Sequence, residues 1–447
     1  MIRIPDQFLA TIPLSGDEKE NFLKSLQEPP PVSIRINPKK FKPSLPLEKV
    51  VWCSEGYYFQ SRPVFTFDPV FHAGGYYVQE ASSMIVGEIV KELNASQEIH
   101  TALDVCAAPG GKTTHLLSSL HENTLVIANE IVSSRLPALT ENCSKWGNAN
   151  VVVTNNDPAH FSALENLFDL ILVDAPCSGE GMFRKEEAAI NEWSLKNVEQ
   201  CSIRQKKILG DVLPSLKPGG FLIYSTCTYN EKENEENVKF LVNENGMEQL
   251  FPECLKKAGV SNGHFFPHKQ KGEGFFVAVF RKPEDGFSPF RIKKTQVQKL
   301  KGEFTSFVTG SEFTFIAHKE KILFVPSAYT ELIETLRKSL RIIKTGTCVG
   351  ELKGKELIPD HELILSNHFA KNSLPFFDLD YENAIRFLSH ETLSSLPENR
   401  GWGYFTYANI PLGAFKSVPG RINNYFPKEL KIRKKYDENQ RFSVFSL

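Results

Sequence analysis

Short apolar runs, each bounded by Gly, Pro, Asn or Asp, recur between about His100 and Lys282. Thr101–Val105, Leu125–Asn129, Val151–Thr154, Leu170–Asp174, Phe221–Ser225 and Phe275–Phe280 are nearly continuous in apolar side chains. That is the pattern of strands buried on both faces, not the alternation of a half-exposed sheet. Helical-period stretches separate them. One spans Asn197–Leu216 and runs into Lys217-Pro218-Gly219-Gly220, a strong stop signal. Strands and helices in alternation predict an α/β unit built on a parallel sheet. Ahead of it lie an amphipathic segment (Glu18–Leu26), Pro29-Pro30-Pro31 and an extended Ser33–Asn37. Behind it, after a lysine-rich connector (Arg291–Lys301), apolar runs punctuated by Gly and Pro predict a β-rich end. The expected organisation is an N-terminal region 1–95, an α/β unit 96–283, a linker and intermediate domain 284–389, and a β-rich domain 390–447.

In an open α/β sheet, ligands collect at the carboxyl ends of the strands, so the residues following each run carry the chemistry. The first strand leads into Asp104-Val-Cys-Ala-Ala-Pro-Gly-Gly-Lys-Thr-Thr and a helix. Such a turn offers backbone amides and a helix N-terminus to a polar group. Gly111-Lys112-Thr113 fits a P-loop, but Cys106 stands where its first glycine belongs, and the dinucleotide fingerprint is absent. Glu130 ends the second strand, where an acid can accept both hydroxyls of a ribose, and Asp157 follows the third, placed to meet an adenine amino group. Each acid alone reads as a cap or turn residue. Acids at consecutive strand ends favour S-adenosylmethionine over ATP.

Cys177 follows the fourth run, three residues after Asp174, and Cys227 follows the fifth. Methylation at carbon-5 of cytosine calls for this inventory: a thiolate that adds to carbon-6, a carboxyl near ring nitrogen 3, and a second basic group. Cys227, Asp174 and Cys177 supply it. Lys112, on the same rim, can lower a thiol pKa or steady charge on the base.

Composition agrees with a folded, water-facing chain: 41% hydrophobic and 23% charged residues over 447 positions. No apolar run approaches the roughly 18 residues of a membrane span, and the N-terminus lacks a signal-peptide pattern, so a cytoplasmic protein with no membrane partner is expected. None of the eight cysteines forms a Cys-x-x-Cys pair, so no metal site is expected. Cys53, Cys143, Cys201, Cys254 and Cys348 read as packing residues, as does Cys106 within its tight turn. Residues 281–447 hold 26 Lys+Arg against 19 Asp+Glu, and the remainder 26 against 34. A basic end on an acidic body points to a polyanionic partner.

Asp-Val-Cys-Ala-Ala-Pro-Gly-Gly-Lys-Thr (104–113), Asp-Ala-Pro-Cys-Ser-Gly-Glu-Gly (174–181) and Ser-Thr-Cys-Thr-Tyr (225–229) resemble the Nop2/Sun family of RNA cytosine-5 methyltransferases. Ser33–Asn37, Gly75–Met84 and Pro267-His268 with Gly272–Phe276 extend the likeness over roughly residues 30 to 282. The resemblance implies a Rossmann-like S-adenosylmethionine-dependent methyltransferase sheet, with Cys227 as nucleophile and Cys177 assisting product release. It assigns cofactor contacts to Cys106, Ala107, Ala108, Pro109, Gly110, Gly111 and Lys112, and to Glu130, Asp157 and Asp174. Asp174 and Lys112 are also implicated in handling the base, and Arg135 matches a recurrent basic residue after the ribose acid. By the same likeness residues 1–95 form an RNA-binding or lid region.

Trp402–Lys416 reads as strand, turn and strand, followed by Gly420–Lys428 and by Lys431, Arg433, Lys434 and Lys435. Basic residues interleaved with Tyr and Phe suit looped or single-stranded RNA. This stretch resembles the PUA-like RNA-binding module that ends the bacterial small-subunit rRNA methyltransferases of the family, the RsmF type. Small-subunit (16S) rRNA is therefore the expected partner, free or within the subunit, and tRNA the alternative. A P-loop NTPase and a catalytically silent RNA-binding assembly factor are the readings outside the class. Oligomeric state is not encoded in any of these features.

Overall fold

The runs between Thr101 and Arg281 become neighbours in one sheet. In chain order its strands are β1 (Thr101–Asp104), β2 (Leu125–Asn129), β3 (Val151–Thr154), β4 (Phe168–Asp174), β5 (Leu216–Thr226), β6 (Glu248–Leu250), β7 (Phe275–Arg281) and β8 (Ile342–Thr345). They lie side by side as β6-β7-β5-β4-β1-β2-β3-β8, with His264–Phe265 pairing on β7 as a ninth strand. Strands β1 to β5 are parallel, and β7 and β8 run antiparallel to the strands they flank. Since β1 has β2 on one side and β4 on the other, the winding direction reverses at β1. A crevice at the carboxyl ends of the strands is the consequence. The computed structural model describes residues 4–41, 46–284, 286, 288–292, 297–354, 356–393 and 400–444. Residues 293–296 of the lysine-rich connector lie outside them.

Helices α1 (Ile85–Ser96), α2 (Gly111–Ser119) and α3 (Leu136–Trp146) cover one sheet face, and α4 (Leu195–Val212) belongs to the other. Ser194 caps α4 by accepting from the Asn197 amide at 3.1 Å. The helix stops at Val212 and not at Leu216 as the stop signal implied. Pro214 has no amide to donate, and its ring crowds the preceding turn. Leu213–Ser215 therefore tighten into a 3-10 turn, and Leu216–Gly220 join β5.

The flanking regions pack closely into this unit. Helix α1, which begins before residue 95, buries Ile85, Val86, Ile89 and Val90 in the core of the α/β unit. Within 284–389, β8 leaves its own surroundings to pair with β3. Leu332, Ile333 and Leu336 of the helix Thr330–Ser339 pack in the same core as Leu209 and Val212. The C-terminal sheet starts with Phe376–Asp378, ahead of residue 390, pairing parallel with Gly401–Tyr407. Ile410–Val418 and Arg421–Asn424 complete it. A three-residue strand and the amphipathic helix Tyr381–Leu388 offer too little pattern to be separated from the linker by sequence.

A four-stranded antiparallel N-terminal sheet (Glu48–Lys49, Gly56–Phe59, Val32–Ile36, Tyr76–Val78) shares its core with this C-terminal module. The carboxylate of Asp68 accepts from the amides of Val70 and Val444, each at 3.0 Å, and from the Tyr76 hydroxyl at 2.9 Å. Burial pushes its pKa up to about 7 despite these bonds. Among the described residues, no helix is long and apolar enough to cross a membrane.

Candidate active site

Strands β4 and β5 are parallel and in register, with Asp174 opposite Ser225. The amide of Ala175 extends the ladder to the Ser225 carbonyl at 2.9 Å. Both chains then leave the sheet on the same rim. Pro176 has no amide to continue the pairing, so the first loop turns away and Cys177 comes beside Cys227. The two sulfurs lie 2.9 Å apart, and the Cys227 amide donates to the Cys177 sulfur at 3.3 Å. Both cysteines are free thiols and partly exposed. The hydrogen bond with Cys227, followed by burial, pushes the Cys177 thiol well above its ordinary value.

Two buried carboxylates hold these loops together. Glu180, 1% exposed, takes the Thr228 hydroxyl at 2.6 Å and the amides of Tyr229 and Asn230 at 2.8 and 3.1 Å. Its other oxygen takes the Trp193 indole N–H and the Asn230 side-chain amide, each at 3.0 Å. Glu233 accepts from the Ser178 amide at 3.0 Å, the Gln205 amide at 2.7 Å and the Asn230 amide at 2.7 Å. Burial raises the Glu233 pKa, though its hydrogen bonds work the other way. Each cysteine loop is thus bonded through carboxylates to the other, which fixes the approach of the sulfurs. Glu180 stands inside a quoted motif, but nothing in the linear pattern showed what it binds, and Glu233 carried no signal at all.

Asp174 and Lys112 complete the cluster. Lys112 Nζ lies 2.8 Å from Asp174 Oδ2, and the Ser225 hydroxyl donates to Asp174 Oδ1 at 2.8 Å. Burial pulls the Lys112 pKa down, but the charge and hydrogen bond of Asp174 outweigh it, and the net shift is upward. Lys112 stays a cation there, 5.1 Å from the Phe275 ring centroid.

The loop 106–112 turns between β1 and α2, with the Ala107 amide bonded to the Asn129 carbonyl at 2.8 Å. Gly110 has φ +108°, a conformation that strains any L side chain, and a Cβ on Gly111 would sit 3.2 Å from the Tyr77 ring. Arg35, fully buried, ties the N-terminal sheet to this loop through Gly111 O at 3.1 Å, Thr114 Oγ1 at 2.7 Å and Gln79 Oε1 at 2.8 Å. Burial lowers its pKa to about 10. Ser33–Asn37 was visible in the sequence as a motif, but the reach of Arg35 across to the loop was not.

At the end of β2, Glu130 is 2% exposed. Its Oε1 accepts from the Val132 amide at 2.8 Å and its Oε2 lies 3.2 Å from Arg135 Nη1. Arg135 also donates to the Ala108 carbonyl, so it bridges the acid and the loop. Asp157 stands apart, half exposed, capping the turn Pro158–Ala163 through the Ala159 amide at 3.0 Å and lying 3.9 Å from Lys207. Arg341, which precedes β8, reaches the loop before Asp157. Its guanidinium donates to Asn155 Oδ1 at 3.0 Å, its amide to Asn156 Oδ1 at 3.0 Å, and its carbonyl accepts from the Asn155 amide at 3.0 Å. Asn155 in turn donates to the Glu130 carbonyl at 2.7 Å. No sequence signal pointed to Arg341, because 186 residues separate it from Asn155.

These residues fit an adenosyl group. Among the described residues, buried Asp104 Oδ1 has no hydrogen-bond partner and buried Glu130 Oε2 has only its ion pair with Arg135, beside a loop whose glycines leave its backbone open. Burial raises the Asp104 pKa to about 7. A cleft of about 1230 Å³ runs from Cys106–Pro109, Lys112 and Asp174 past Arg184 and Lys271 to Pro29–Pro31 and Arg62.

Three family models match the chain. They are described as 16S rRNA methyltransferase RsmB/F (residues 91–281), the N-terminal domain of 16S rRNA methyltransferase RsmF (4–81) and the methyltransferase RsmF PUA domain (374–432). Ribosomal RNA small subunit methyltransferase F of Aliivibrio fischeri strain MJ11 is 32% identical, over 96% of this chain and 98% of its own length. The protein of that name from Cronobacter sakazakii is 30% identical, over 93% of each chain. Among solved structures, a methyltransferase homolog from Pyrococcus horikoshii superposes with a TM-score of 0.52 at 26% identity, covering 62% of this chain and 93% of that one. NSun6 from the same organism, solved with SFG, gives 0.53 at 23% identity, over 63% and 99%, and supports the fold.

Proposed function

The chain belongs to the ribosomal RNA small subunit methyltransferase F family of S-adenosylmethionine-dependent enzymes, and from that premise we propose that it methylates carbon-5 of a cytosine in 16S rRNA through a covalent adduct on Cys227. The observation that carries the chemistry is the 2.9 Å approach of two thiols beside the Lys112–Asp174 pair. Family membership replaces the nucleoside-triphosphatase reading of Gly111-Lys112-Thr113.

The mechanism follows from what each side chain can do. Cys177 keeps its proton, its sulfur lies 2.9 Å from that of Cys227, and Cys227 reacts as its thiolate. That thiolate adds to carbon-6 of the cytosine and moves the ring π pair toward carbon-5. Asp174, held by Lys112 and Ser225, faces the base with a fixed carboxylate, and the Lys112 cation steadies the charge that the addition places on the ring. S-adenosylmethionine, when bound, would supply carbon-5 with an electrophilic methyl group from its sulfonium centre. Once a base has removed the carbon-5 proton, that C–H pair reforms the ring double bond, and the carbon-6–sulfur bond breaks to restore the Cys227 thiolate. The cofactor would be held by the loop 106–112, with Glu130 at the ribose and Asp157 at the adenine end.

Bisulfite mapping of ribosomal and transfer RNA, with and without this protein, tests the substrate. One methylated cytosine in 16S rRNA is expected to disappear with the protein. Loss of a tRNA site would reassign the substrate, and loss of none would remove the cytosine-5 activity. A second expectation concerns Arg341. Because its side chain steadies Asn155 beside Glu130, Arg341→Ala is expected to weaken S-adenosylmethionine binding about 5- to 10-fold, the net worth of one ordinary hydrogen bond. Calorimetry reads this directly. An unchanged affinity would show that the main-chain pairing of β8 holds the loop without it.

A further inference from the structure

A second cavity, of about 560 Å³, opens off the catalytic cleft and shares Arg62, Tyr77 and Val78 with it. Its walls are Pro63, Val64, Phe65 and Phe71, and Asn142 of α3 closes one side. The apolar character is incomplete in an informative way. Arg62 is exposed at the junction of the two spaces, with its guanidinium 5.7 Å from the Phe65 ring centroid. Among the described residues no carboxylate or hydrogen-bond partner is found for it, whereas Arg184, elsewhere in the cleft, is tied to Glu273 at 2.9 Å. A cation left unpaired between two cavities suits a phosphate that must pass from one to the other. Asn142, which lines the cavity, donates its side-chain amide to the Pro109 carbonyl at 2.9 Å, and its side-chain carbonyl oxygen remains able to accept.

We propose that this cavity receives the nucleotide adjacent to the target cytosine. Its base would lie against the rings of Phe65, Phe71 and Tyr77, and Arg62 would hold the phosphate that links it to the target. The volume suits one nucleotide, and aromatic faces accept any base while the Asn142 oxygen favours one carrying an exocyclic amine. Splaying a neighbour out of the strand also leaves the target unstacked, which a base must be to enter a pocket. Through Pro109 the occupied cavity bears on the loop that carries Lys112. The proposal rests on the RNA methylation reading and adds to it a place where local sequence is read.

The test uses the full-length protein and a 16S rRNA transcript carrying the mapped cytosine, both free and assembled into the small subunit. Arg62→Ala is expected to raise KM for the RNA about tenfold, with kcat within about twofold and S-adenosylmethionine affinity unchanged. Replacing the flanking nucleotides one at a time by abasic sites is expected to lower kcat/KM about tenfold on one side of the target only. In Arg62→Ala the same abasic site costs less, because the linked phosphate is no longer held. If the unaltered enzyme methylates the transcript but neither Arg62→Ala nor either abasic site moves KM, the cavity is not a nucleotide site. If the unaltered enzyme methylates no RNA, the proposed function falls first and this site with it.

Discussion

Cys227→Ala is expected to lower methyl transfer by roughly 10⁴-fold or more, the scale seen when a covalent nucleophile is removed. The size follows from the base: carbon-5 of cytosine is too weak a nucleophile until carbon-6 carries the thiolate. Cofactor binding should be untouched, since Glu130 and the loop 106–112 make no hydrogen bond to Cys227 among the described residues. One further sign separates loss of the nucleophile from general damage. The hydrogen bond to Cys227 is the largest cause of the high Cys177 pKa, so in Cys227→Ala the Cys177 thiol should titrate lower. The pH profile of alkylation at Cys177 reads that shift. Retained turnover in this variant would remove Cys227 from the chemistry.

Cys177→Ala is expected to give the opposite phenotype, with chemistry begun and not finished. The Cys177 sulfur is 2.9 Å from the Cys227 sulfur, which places it beside the bond that must break when product leaves. Without it, a first methyl transfer proceeds, and the RNA then stays on Cys227. Steady-state turnover should fall by about 10²- to 10³-fold, with a slow-migrating, protease-sensitive RNA band on a denaturing gel. The band must vanish in the double variant with Cys227→Ala, because only Cys227 can hold the adduct. If no band forms and product is released normally, Cys177 serves only to shape the loop that Glu180 and Glu233 fix.

The parts of this site visible in the linear chain were those attached to a strand end. Asp174, Cys177 and Cys227 each follow an apolar run, and a parallel sheet must bring such positions to one rim. Lys112 was visible because a glycine turn precedes it. The supports of these residues were not. Glu233 lies beyond any motif, and Arg341 contacts Asn155 only because β8 crosses back to the edge of β3. Arg62 sits in a stretch with no periodicity, so its unpaired charge has meaning only beside the cavity it borders. Packing between the expected domains was hidden for a similar reason. Composition marks linkers, but α1, the helix Thr330–Ser339 and Val444 bury apolar side chains in neighbouring units.

Two kinds of information therefore divide between chain and fold. The order of apolar runs and the residues that close them determined an α/β sheet, the glycine loop at its rim and two strand-end cysteines beside it, because period and strand-end position are local properties. Only the tertiary structure decided how close those thiols come, which carboxylates hold them there, and how the terminal regions complete the cleft. Those outcomes depend on pairings between residues far apart in the chain, where burial makes each unsatisfied donor or acceptor costly and so selects one arrangement.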